Sequence, residues 1–383
     1  MVGCCAMLGR MPLTLGPISL STPVVLAPMA GVTDAAFRRL CGEHGEALYV
    51  SEMVTARGLV EGNARSWAMV RHDPEAPGPR SLQLYGADPA VMADAVAALV
   101  ERDAVDHLDL NVGCPVAKVM RGGGGAALPV KRRLFAAVVR AAVNAAGAVP
   151  VTVKMRLGLD EGRLTFLEAG ATAAAEGVAA VALHARTAAQ GYGGHARWEA
   201  IAELRGALDG AVPVLGNGDL WAAEDALAMV EATGCDGVVV GRGCLGRPWL
   251  FADLEAAFAG RRPAGPPPLG AIRATARRHL DLLLAHAGTD AALRRFRKHL
   301  RWYLQGYPVG RRVHAAAGSV ASVADVETLL AGLDGELTVV DSAVRAPRGR
   351  TGGVGRLVLP EGWWEERDAE VTVDDPAVAV SGG

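Results

Sequence analysis

The sequence predicts an α/β protein, a closed (β/α)8 barrel of the TIM type followed by a small C-terminal helical bundle. Three observations predict it. Eight short apolar or β-branched runs recur between residues 24 and 241, the segments between them are rich in Ala and Leu at helical spacing, and most of the runs end in polar residues. A strand–helix unit repeated eight times closes a parallel sheet on itself, and polar groups at the carboxyl ends of its strands form an active-site mouth.

The runs fall at 24–27, 48–51, 81–84, 107–111, 151–154, 180–184, 212–216 and 237–241. Asp88-Pro89 reads as an N-cap with proline in the first turn. Gly147 closes the helix after the fourth strand, and Asp219 or the pair Glu224-Asp225 opens the one after the seventh. An open doubly wound sheet would place Gly-x-Gly-x-x-Gly after the first strand, where Pro28-Met29-Ala30-Gly31 stands instead. The barrel is expected over 12–260, after a flexible start at 1–11. The proline-rich 261–268 reads as a stiff linker. Residues 261–335 carry helical spacing and no strand signal, so they read as the bundle. Residues 336–383 read as a poorly ordered tail, acidic at its end, with Trp363-Trp364 its only sticky element.

A chain of 383 residues, 51% hydrophobic and 21% charged, has neither a disordered nor a fibrous composition. Its six cysteines (4, 5, 41, 114, 235, 244) form no Cys-x2-Cys ladder, so structural zinc is not expected and a reducing, cytoplasmic setting is. No basic cluster precedes an early apolar run, and no apolar run is long and charge-free enough to span a bilayer, so neither a signal peptide nor a membrane association is expected. The net charge of −2 hides an asymmetry. From 261 to 312 twelve Lys and Arg face only Asp281 and Asp290, which leaves +10 there and −12 on the remainder. A basic block on an acidic body is the pattern of a module that meets phosphates.

The chemistry-bearing residues cluster at strand ends. Gly216-Asn217-Gly218-Asp219 and Gly241-Arg242-Gly243 follow the seventh and eighth strands, where bare backbone N–H groups and helix N-termini of such barrels hold a phosphate. Lys154 ends the fifth strand and points into the mouth, where a buried ammonium stabilises negative charge on a reduced flavin ring or a developing enolate. His184 and Arg186 occupy the equivalent place on the sixth strand. Asn111-Val112-Gly113-Cys114-Pro115 sets one thiol in a shaped loop after the fourth. An ordinary thiol is mostly protonated at neutral pH, which favours a general acid over a nucleophile. Gly122 to Gly125 lacks the Gly-Lys-Ser/Thr ending of a P-loop and reads as a flexible segment over the site.

Taken together, Ala-Pro-Met-Ala-Gly-Val-Thr-Asp (27–34), Gln83-Leu84, residues 109–115, 153–156, His184-Ala185-Arg186-Thr187, 216–219 and 241–248 resemble the bacterial tRNA-dihydrouridine synthases. Phe-Arg-Lys-His-Leu-Arg-Trp-Tyr (296–303) is similar to the helical-domain motif of that family's B branch. The likeness runs from about residue 12 to 333, with Ala185 where most relatives have Gly. It implies an FMN enzyme that reduces specific tRNA uridines, in the D-loop, to 5,6-dihydrouridine with NADPH as electron donor. Carried over by position, Pro28, Met29 and Ala30 line the isoalloxazine, and Gln83 and Lys154 hydrogen-bond it beside His184. Asn217, Gly218, Asp219, Gly241 and Arg242 hold the ribityl phosphate. Cys114 protonates uracil C5 while reduced flavin delivers hydride to C6. Asn111 orients the base, with Arg186 on the substrate side, and Arg294, Arg295, Arg297, Lys298 and Arg301 meet RNA phosphates. A base inside folded RNA must leave its stack to reach such a mouth, and a basic surface must hold the strand meanwhile. The rival readings are a flavin barrel reducing or oxidising free pyrimidines, which has no use for a +10 appendage, and a catalytically silent RNA-binding relic.

Overall fold

The computed structural model describes residues 12–369. The expectations for 1–11, including Cys4 and Cys5, and for 370–383 lie outside them. Eight strands form a closed barrel: β1 (Val24–Leu26), β2 (Leu48–Thr55), β3 (Ser81–Tyr85), β4 (His107–Val112), β5 (Val151–Arg156), β6 (Ala180–His184), β7 (Val214–Asn217) and β8 (Gly237–Val240). Every neighbouring pair is parallel, and β8 closes on β1 through Val238–Val24 and Val240–Leu26. All eight predicted runs are strands. β2 runs four residues further than its sequence run because a register shift between Val50 and Met53 lets it continue beside β3.

Side chains alternate between two cores. Outward-facing Val24, Leu26, Leu82, Leu84, Leu108, Leu110, Val151 and Val153 pack against the helices. Inward-facing Val25, Val50, Ala182, Leu215 and Val239 meet Leu13, Leu15 and Leu20 of an antiparallel hairpin, Leu13–Leu15 with Ile18–Leu20, which plugs the barrel floor. Sequence gives no sign of that hairpin, because two three-residue strands carry too little alternation to stand out. Caps fall where predicted: Asp88 accepts from the amides of Ala90 (2.9 Å) and Val91 (3.2 Å), and Gly147 ends the helix Arg132–Ala146 at φ +59°. The open choice after β7 resolves to Asp225, which accepts from the amides of Trp221 and Ala222 at 2.9 Å.

Helices Leu269–Ala287, Thr289–Tyr303, Gly310–Ala317 and Val323–Ala331 form the bundle. Its core of Ile272, Leu280, Leu283, Phe296, Leu300, Val326 and Leu330 extends into Ala36, Leu40 and Trp249 of the barrel, so the seam between the two parts is itself apolar core. His279, His299 and Tyr303 are buried there beside Phe37, with the imidazole centroids 4.5 Å apart.

The reading of everything after 335 as loose tail is corrected for the described part. Arg348 is 3% exposed and Trp363 5% exposed, and the segment between them runs back over the barrel. It lacks periodicity because backbone hydrogen bonds and isolated anchors hold it, rather than an amphipathic face.

Candidate active site

Register puts the site together. Asn111 on β4 pairs with Lys154 on β5, Asp109 with Thr152, and Gln83 on β3 with Asp109, so these inward-facing side chains form adjacent layers. Gln83 Nε2 donates to Asp109 Oδ2 (2.6 Å), Asn111 Nδ2 donates to Gln83 Oε1 (2.8 Å), and Asn111 Oδ1 accepts from the amides of Gly113 (3.2 Å) and Cys114 (2.9 Å). Thr152 Oγ1 donates to Asp109 Oδ1 at 2.6 Å, and His107 sits between Ser81 (2.7 Å) and Thr152 (3.1 Å). A buried polar chain therefore rises from the barrel floor to the backbone of the cysteine loop. A network satisfied at each link fixes side-chain orientation.

The thiol sits at its upper end. Burial pushes the Cys114 thiol up from its ordinary value, and the amide of Val116, Arg156 and Lys154 offset this only in part, so the sulfur keeps its proton. Arg156 and Lys154 come from β5. Both are distant from Cys114 in sequence, and strand pairing cannot be read from spacing along the chain.

Next to this lies a cleft of about 490 Å³, partly open to solvent, walled by Pro28, Met29, Lys154, His184, Asn217, Gly218, Asp219, Gly241 and Arg242 from the predicted set. Tyr192 and Trp221, which no motif marks, complete it: the Arg242 guanidinium lies 4.5 Å from one ring centroid and 4.9 Å from the other. Lys154 Nζ donates to Asn217 Oδ1 (3.1 Å), whose Nδ2 donates to Val239 O (2.6 Å). Burial, then Arg156, drives the Lys154 ammonium down, while Asp109 and Cys114 pull it back. His184 is held neutral by burial and by the same cations. Gly218 and Gly243 have no room for a side chain: a Cβ would lie 2.5 Å from Ala196 Cβ and 2.1 Å from Leu220 O.

Other predicted residues lie around the cleft and not in its wall. Arg186 is 1% exposed, with Nη2 donating to both Asp219 oxygens at 2.8 Å and Nε to Gly193 O at 3.1 Å, so it stands behind the glycine loop and braces it. Gln83 and Asn111 belong to the polar chain beside the cleft, and Ala30 is exposed on the loop after β1. In the bundle Arg294 and Arg301 are exposed. Arg295 pairs with Asp34 at 3.1 Å, Lys298 Nζ donates to Gly31 O on the loop after β1, and Arg297 Nε donates to Val320 O at 2.8 Å inside the bundle. Among the described residues no His/Cys/Asp/Glu group could hold a metal ion. No helix there is long and apolar enough to cross a membrane.

A closed barrel with a thiol loop, a buried lysine and a glycine-walled cationic cleft at its carboxyl mouth has the layout of a barrel enzyme. The chain is more closely placed by its relatives. The model of the dihydrouridine synthase family (Dus) matches residues 25–334, and the chain belongs to that family. It is 50% identical over 380 residues, 97% of each chain, to the probable tRNA-dihydrouridine synthase of Mycobacterium tuberculosis H37Rv. It is 37% identical over 301 residues, 79% of this chain and 89% of the other, to tRNA-dihydrouridine synthase B of Pseudomonas aeruginosa. Among solved structures, histamine dehydrogenase from Rhizobium sp. 4-9 superposes with a TM-score of 0.51 at 13% identity, over 71% of this chain and 50% of that one, a likeness of barrel fold alone.

Proposed function

We propose that this chain reduces the C5=C6 bond of specific tRNA uridines to 5,6-dihydrouridine, with FMN in the cleft and NADPH re-reducing it. The observation that carries the reading is a glycine-walled cleft lined by Lys154 and Arg242, with Arg156 and Arg186 buried close behind, beside a thiol that keeps its proton. Those cations repel one another in a buried space, with Arg186 and Arg242 sharing the one carboxylate of Asp219. Arg186 Nη1 is buried without a hydrogen-bond partner among the described residues. An anion there relieves both.

The residues fit FMN. Gly218, Gly241, Gly243 and Arg242 would hold its phosphate, with Arg186 and Asp219 fixing that loop. Pro28 and Met29 would flank the ring system, and Lys154 would offset its negative charge when reduced. Bound and reduced, a flavin supplies hydride to uracil C6. The chain's own part is to hold the Cys114 proton for C5, to orient the base through Asn111, and to present the flipped nucleotide through the basic face of Thr289–Tyr303. A D-loop uridine is the target we infer. The test is to map dihydrouridine in tRNA from cells lacking this protein. Loss at defined positions, restored by the intact gene, is expected. An unchanged map contradicts the proposal.

A further inference from the structure

Residues 347–368 lie beyond the range matched by the family model, yet they are fastened to the mouth at three places. Arg348 is the first anchor. Its Nη1 donates to Leu245 O (3.0 Å) in the barrel and to Trp302 O (2.8 Å) in the bundle, and Nη2 donates to Gln305 O (3.1 Å). Second, the segment passes the cleft. Arg350 O accepts from Arg242 Nη1 (2.6 Å), Gly352 O accepts from the amide of Tyr192 (3.1 Å), and Val354 N donates to Ala189 O (3.1 Å). Third, it ends behind the cysteine loop. Trp363 Nε1 donates to Ala127 O (2.8 Å), and its ring lies on Gly123, where a Cβ would be 2.6 Å from the indole. Lys131 Nζ donates to Glu366 O (2.6 Å), and Arg132 N donates to Arg367 O (2.9 Å).

This third anchor reaches the thiol in one further step. Gly125 packs on the carbonyl of Cys114, where a Cβ would lie 2.4 Å from the oxygen, and Ala126 N donates to that same carbonyl at 3.0 Å. The glycine run 122–125 is the most permissive backbone near the mouth, and without a wall behind it the loop has many conformations. Asn111 fixes the amide side of Cys114, the glycine run bonds to its own loop through Gly123 N to Met120 O (3.0 Å) and Gly124 N to Val119 O (3.2 Å), and the indole backs that loop from the C-terminal segment.

We propose that Trp363 is a positioning residue of the active site, holding residues 114–127, and with them the Cys114 sulfur, in place at the mouth. The proposal rests on the reading of Cys114 as the proton donor, but its test does not need turnover. In the full-length chain, Trp363→Ala and Trp363→Phe are treated with limiting iodoacetamide, and modification is followed by peptide mass at Cys114 and at the buried Cys41, Cys235 and Cys244. Trp363→Ala is expected to speed alkylation of Cys114 by about tenfold, with the three buried thiols still protected, because a loosened loop exposes its thiol. Trp363→Phe, which keeps a ring on Gly123, is expected to restore most of the protection. Dihydrouridine formation should fall between about tenfold and a hundredfold in Trp363→Ala, the scale of a displacement of about 1 Å, with the KM for tRNA unchanged. Parent-like reactivity in Trp363→Ala overturns the proposal. Parallel modification of all four thiols followed does so too, since the effect is then global, and so does a Trp363→Phe chain as reactive as Trp363→Ala. If the parent chain makes no dihydrouridine, the functional reading fails while the alkylation result still decides the positioning role.

Discussion

At the residue scale the proposed chemistry turns on a proton. Cys114 lies in a buried setting that raises its thiol, so the group is a competent acid below that raised value and is lost as an acid above it. The expected pH profile of single-turnover uridine reduction is therefore flat through neutral pH, with its alkaline decline above the ordinary thiol value of about 8.5. A decline centred near pH 7 contradicts a raised thiol. Arg242 carries a second prediction. Its guanidinium stacks between Tyr192 and Trp221 and reaches toward Asp219 at 3.6 Å, so Arg242→Ala should leave the barrel folded but release flavin on gel filtration. Retention of a full complement removes it from the phosphate cradle.

Among the elements, the seam between barrel and bundle is the informative piece. Burial lowers His279 to about 4 and His299 well below its ordinary value, so both are neutral in the folded state. As pH falls below about 6.5 the unfolded chain takes up protons that the folded seam refuses. Stability is thus whole above that pH and declines toward pH 4. Thermal melts should show Tm constant from about pH 8 to 7 and falling below about 6.5. A Tm that does not fall on acidification contradicts the buried neutral pair. Eight strands and the polar strand ends are legible in the sequence because barrel strands are short apolar runs with regular spacing. Asp219 stands out in sequence as a cap or a phosphate ligand, but its link to Arg186 spans 33 residues and no local pattern encodes it. Tyr192 and Trp221 escape sequence reasoning for the same reason. Residues 347–369 read as a loose chain because Gly, Pro and Arg there have no period, whereas Arg348 and Trp363 each make anchors that only the folded barrel supplies.

Across the whole molecule, the basic charge is concentrated in the bundle. The helix Thr289–Tyr303 crosses toward the loop after β1 through Arg295–Asp34 and Lys298–Gly31, so the basic block borders the mouth instead of standing apart from it. Arg294 and Arg301 are exposed there, while Arg297 is tied to Val320 O. Arg294→Gln with Arg301→Gln should weaken tRNA binding and lower the slope of log affinity against log salt by roughly 1 for each phosphate no longer neutralised, with flavin reduction by NADPH unaffected. An unchanged slope places the RNA surface elsewhere. That a thiol completes the saturation of uracil across from a flavin is tested most directly on full-length Cys114→Ala, purified, reduced with NADPH and mixed with tRNA that lacks dihydrouridine. Flavin content and flavin reduction like the parent chain's, with almost no dihydrouridine formed, are expected. Near-parental dihydrouridine from that variant contradicts the role given to the thiol.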